Sequence, residues 1–129
     1  MKYLEELSAL NLPSEDFAVF GSGPMVIRGI RENDDIDLVA REYLWKKLAD
    51  KYPENVKSDK EIAIDHLSIF RNWLPWFSDV EELINTADII DGIRYVGLEN
   101  VKKWKEACGR DKDLEDVKQI NKYLDENKS

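Results

Sequence analysis

The chain has 129 residues, 43% of them hydrophobic, and its 27 acidic side chains outnumber 19 basic ones for a formal net charge of −8. That length suits one domain with a real core, and the acidic balance has the wrong sign for broad, sequence-independent nucleic-acid binding. No apolar run approaches the roughly 20 residues that span a bilayer, a lone Cys108 excludes an internal disulfide, and a lone His66 excludes a histidine-based metal cluster.

Acids at Glu5 and Glu6 stand where a signal peptide carries its apolar stretch, so a cytoplasmic setting with no membrane partner is expected. Residues 2–10 place Leu4, Leu7 and Leu10 at helical spacing, and Pro13 ends the segment. The apolar run 17–20 predicts a strand that enters Gly21-Ser22-Gly23. Residues 23–31 predict a helix, with Pro24 suited to its first turn. A polar turn precedes a second strand over 35–40, and 42–51 predicts a helix with Leu44, Trp45, Leu48 and Ala49 inward.

Residues 52–61 are polar and turn-rich. Ile62 and Ile64 alternate in one phase and Leu67 and Ile69 in the other, which places a break or hairpin turn at Asp65-His66. An aromatic loop over 73–77 follows. Ser78 with Glu81 has the spacing of a capping box for a helix over 79–86. Asp91-Gly92 favours a tight hairpin turn within 89–96. A helix over 98–108 stops at Gly109, and a last helix runs from 113 to about 127 with Val117, Ile120 and Leu124 on one face. Mixed strands and helices in this order imply an α+β or α/β domain with a small central sheet.

The residues that suggest chemistry begin at the first strand's end. Gly21-Ser22 is followed, after twelve residues, by Asp35-Ile36-Asp37. Side chains alternate along a strand, so Asp35 and Asp37 share a face. Adjacent carboxylates repel unless a cation sits between them, and hard oxygen ligands suit magnesium. The glycines let backbone come close to phosphates. A bland turn followed by a strand is the competing reading. Strand, glycine turn, helix and Asp-x-Asp strand together form the arrangement that nucleotidyl transfer needs.

On these residues the chain resembles the nucleotidyltransferase superfamily related to polymerase beta, over Phe17 to Val39. It is most similar to the minimal and abortive-infection (AbiEii-like) members, which also carry a Lys-Asp-x-x-Asp element near a C-terminal helix. Here that element is Lys112-Asp113-Leu114-Glu115-Asp116, preceded by Lys105 and Arg110. The resemblance implies an α+β nucleotidyltransferase-like fold with a small mixed sheet. It implies Mg2+ held by Asp35 and Asp37, and a nucleoside triphosphate (NTP) bound by Gly21, Ser22, Gly23, Arg28, Lys112 and Asp113. The acceptor hydroxyl stays open among tRNA, a protein and a small molecule, and so do a homodimer and an antitoxin partner of a toxin–antitoxin pair.

Family members usually add a third carboxylate from a neighbouring strand as general base. Asp65 is the candidate here, with Asp59 less direct, because Ser68 stands where an acid is expected and a serine cannot be that base. That departure keeps two rivals: a non-catalytic nucleotide-binding or antitoxin-like module, and a small-molecule (antibiotic) nucleotidyltransferase. Several residues also have plain structural readings. Arg28 has Glu32 four residues on, Asp113 and Asp116 suit a helix start, and Lys102, Lys103, Lys105 and Arg110 suit a solvated face. Trp73, Trp76 and Phe77 suit a stacking surface for a base, a partner surface or an apolar lid.

Overall fold

A computed structural model describes residues 1–127. The helices are α1 (Leu4–Ala9), α2 (Gly23–Val26), α3 (Glu42–Lys51), α4 (Val80–Asn85), α5 (Leu98–Cys108) and α6 (Asp111–Glu126). The strands are β1 (Phe17–Phe20), β2 (Ile36–Ala40), β3 (Glu61–Ile64), β4 (Leu67–Phe70), β5 (Asp88–Ile90) and β6 (Ile93–Tyr95), in one mixed sheet ordered β3-β4-β2-β1-β6-β5. The domain is α+β. No helix among the described residues is long and apolar enough to cross a membrane.

Alternation along the central strands sorts their side chains onto two faces. Phe17, Val19, Ile36, Leu38, Ile62, Leu67 and Ile69 face one core, which Leu7 of α1 and Leu44, Trp45 and Leu48 of α3 close. Ala18, Phe20 and Val39 face a second core, closed by Met25, Leu83, Ile84, Val101 and Ile120 from the other four helices. Burial on both faces explains why β1 reads as a continuous apolar run rather than an alternating one. Asp37 lies between Leu38 and Ile36 and so emerges on the second face. β2 pairs antiparallel with β1, Phe20 opposite Asp37, and parallel with β4, Ser68 opposite Asp37.

Several expected boundaries move for identifiable reasons. Helix α2 stops at Val26 rather than running to 31, because the chain turns at Gly29 (φ +76°) and Ile30 N–H bonds back to Met25 O. Strand β2 begins at Ile36, so Asp35 sits in the bend just before it. Helix α4 is capped by Asp79, whose Oδ1 accepts from Glu82 N–H at 3.0 Å; Ser78 is one residue too early. Helix α6 starts at Asp111, which moves Asp113 into its first turn. The break at Asp65-His66 is a two-residue hairpin turn closed by Ile64 opposite Leu67.

Candidate functional site

Two strands and a turn bring the first motif together. Gly21 adopts φ +58°, a left-handed conformation that glycine takes without penalty. It also lies so close to Asp37 that a Cβ there would fall 2.5 Å from Asp37 Oδ2. Gly23 is required by contact instead, since a Cβ on it would meet Val19 Cγ1 at 2.1 Å. The Gly-Ser turn is therefore seated directly against the second aspartate. Ser22 follows as the N-cap residue of α2, its carbonyl accepting from Met25 and Val26 N–H groups.

Asp37 is held where its charge is costly. Burial, then the negative charges of Asp35 and Glu61, push its carboxyl up to about 7. Asp35 is exposed beside it, at a strand entrance pinned by the buried Asn33, whose Nδ2 donates to Asp35 O at 3.2 Å and to Lys2 O at 3.1 Å. Among the described residues no group of three or more His, Cys, Asp or Glu is placed to hold a metal ion. The donor set still fits a magnesium ion, which is commonly held by one or two carboxylates with phosphates and water completing its shell. Asp37 against the glycine turn and Asp35 two residues before it are hard oxygen donors of the kind such an ion takes.

The candidate third carboxylates sit at different places around β2. Asp65 occupies the β3–β4 turn itself, exposed and at φ +52°. Asp59 is exposed in the preceding loop. Glu61 is the acid whose charge acts on Asp37, from the first position of β3. It follows from the hairpin register, which sets Ala63 opposite Ser68 and Glu61 opposite Phe70 on the face that carries Asp37. The polar run 52–61 hid the strand start.

The remaining phosphate-binding candidates have other partners or positions. Arg28 donates to Asp88 Oδ2 at 2.7 Å and to Pro24 O at 2.8 Å, which ties α2 to β5 rather than to the aspartates or to Glu32. Lys112 is exposed at the start of α6. Asp113 is buried and bound by Arg110, with Nε to Oδ2 at 2.6 Å. Burial pulls the Asp113 carboxyl up, but the hydrogen bonds and charge of Arg110, joined by Lys105, override it and hold it below the usual range. Lys105 is also buried, 2.9 Å from Asp116 Oδ2, and Arg31 reaches the same oxygen at 2.7 Å. The C-terminal element thus forms a chain of charges that clamps α5, α6 and the segment before β2 together.

That clamp adjoins the site through Trp104, whose ring lies 4.9 Å from Lys105 Nζ and edge-on to Phe20 at 5.4 Å. Trp73 stacks on Phe20 at 4.4 Å, and Trp76 stands edge-on to Trp104 at 6.3 Å. Together with Asp37, Lys60 and Asn72, these three tryptophans line a cleft of about 270 Å³. Trp104, Lys60 and Asn72 escaped sequence reading because each arrives from a different element. Comparison of the chain with protein-family models, curated proteins and solved structures returns no match.

Proposed function

We propose that this protein is a magnesium-dependent nucleotidyltransferase of the polymerase-beta-like type. It would move a nucleoside monophosphate from an NTP to an acceptor hydroxyl. The observation that carries this reading is the contact of the Gly21 turn with Asp37 Oδ2, Asp35 standing alongside. Asp35 and Asp37 would hold the magnesium, which when bound neutralises charge on the phosphates. The backbone of Gly21, Ser22 and Gly23 receives the triphosphate. Helix α2 has only four residues, so the turn's own amides rather than a long helix dipole serve the phosphates.

Glu61 is the general base of this scheme in place of Asp65. The acceptor hydroxyl gives its proton to the Glu61 carboxylate, its oxygen forms a bond to the α-phosphorus, and the bond from that phosphorus to the bridging oxygen breaks to release pyrophosphate. Ser68, in register with Asp37 where a third acid is expected, favours a second reading: a module that binds NTP without turning it over.

The test joins binding to turnover. Mg2+ with NTP should raise the melting temperature, because a ligand specific to the folded state stabilises it by mass action. Asp35→Asn with Asp37→Asn should abolish that rise while the protein stays folded. Radiolabelled NTP in cell extract should then label an acceptor with wild-type protein, and Glu61→Gln should cut labelling by roughly 10²–10⁴-fold with NTP binding retained. A thermal shift that survives in the double variant sinks the site. Tight binding without labelling selects the second reading.

A further inference from the structure

We propose that the tryptophan cleft beside Asp37 is the acceptor site, and that it takes a nucleoside-sized molecule in which a planar heterocycle carries a hydroxyl group. Its role as acceptor site rests on the nucleotidyl-transfer reading above; its preference for a planar heterocycle does not.

Position comes first. The glycine turn approaches Asp37 from β1, on one side of β2. The cleft spans Asp37, from Trp73 and Trp104 against Phe20 of β1 to Lys60 and Asn72 beyond β4. In an in-line displacement the attacking oxygen enters opposite the leaving group. A triphosphate on the turn leaves the Lys60–Asn72 end of the cleft for the acceptor hydroxyl. Glu61, next to Lys60, is on that side to take the hydroxyl proton as the oxygen bonds to the α-phosphorus and pyrophosphate departs.

The walls then define the class of molecule. Trp73 is 8% exposed, and its Nε1–H and that of Trp104 are buried with no acceptor among the described residues. Trp45 provides the contrast, its Nε1–H bonding to Ile69 O at 3.0 Å. Buried indole N–H groups ordinarily find a partner. A planar heterocycle offers a face for stacking, whereas an aliphatic alcohol offers none, and its ring nitrogens or carbonyl oxygens are the acceptors these indoles lack once a ring turns toward the cleft. Trp76, 43% exposed at the cleft, is the ring placed to stack on it.

Size and charge set the upper limit. About 270 Å³ suits one nucleoside-sized molecule. Among the described residues Lys60 is the only basic side chain in the cleft wall, and the chain carries −8 overall, whereas a nucleic-acid strand needs several cations along its backbone.

The test is a titration of uniformly 15N-labelled protein with adenosine, following the indole N–H resonances assigned by single Trp→Phe variants. The resonances of Trp73 and Trp104 should move saturably while that of Trp45 stays fixed. Trp76→Ala, at an exposed position, should weaken adenosine by about tenfold or more. Trp104→Phe keeps a ring but loses the donor, and should weaken it severalfold. The adenosine titration is first run without Mg2+ or NTP, so the cleft and the transfer reading fail separately. Adenosine should bind alongside saturating Mg2+ with ATP. Mutual exclusion would assign the cleft to the donor's base and overturn the acceptor site. No movement up to about 10 mM adenosine, a range that still detects millimolar binding, or equal movement of Trp45, would overturn the ligand class.

Discussion

Asp37 concentrates the tension in this molecule. A carboxyl pushed up to about 7 by burial and by two like charges is a folded-state liability at neutral pH. The unfolded chain ionises near the ordinary carboxylate value, so between about pH 4 and pH 7 the folded state binds more protons and stability falls as pH rises. The cost levels off above pH 7 at on the order of 4 kcal/mol, most of it from burial of Asp37. Without metal, Asp37→Asn should therefore raise stability at pH 8, leave it nearly unchanged at pH 4, and remove the gain that Mg2+ gives the wild type. Urea unfolding in a chelating buffer at the two pH values reads this directly. Gly21 makes the matching steric prediction. Gly21→Ala meets both the left-handed backbone and Asp37 Oδ2, so it should abolish the Mg2+–NTP thermal shift and lower stability by about 1 kcal/mol or more.

At the scale of elements, legibility followed locality. The strand Phe17–Phe20 and the helices Glu42–Lys51 and Leu98–Cys108 match the sequence reading because composition, spacing and end signals agree within each segment. The nearness of Asp35 to Asp37 was legible for the same reason, one short stretch fixing both residues. Glu61 was not, since its face depends on how β3 pairs with β4. Arg28 was not, since its partner Asp88 is 60 residues away. Helix α4 shows how small the margin is. Ser78 and Asp79 both suit a cap, and backbone geometry selects Asp79. Asp79→Ala should cost about 1 kcal/mol in urea unfolding, and Ser78→Ala should cost nearly nothing. Equal losses would mean that the cap is shared.

The sheet divides the whole molecule into two cores. α1 and α3 cover one face, while Asp37, the cleft and the α5–α6 clamp lie on the other. Leu44 and Ile120 are matched probes of the two sides, buried at 3% and 0% exposure. Truncating either to alanine removes comparable apolar volume and should cost roughly 2–5 kcal/mol. Their effects beyond stability should differ. Ile120 seats α6 in the core that also holds Phe20 and Trp73 and packs Trp104, so Ile120→Ala frees the helix that carries Asp113 and Asp116. Loss of that seating loosens the hold on Lys105 and through it on Trp104. Leu44→Ala should leave the indole resonances of Trp73 and Trp104 where they are. Ile120→Ala should shift both and weaken adenosine severalfold, at a temperature where both variants remain folded. If the two variants disturb those resonances alike, the sheet transmits strain between its faces and the cleft is not insulated from the first core.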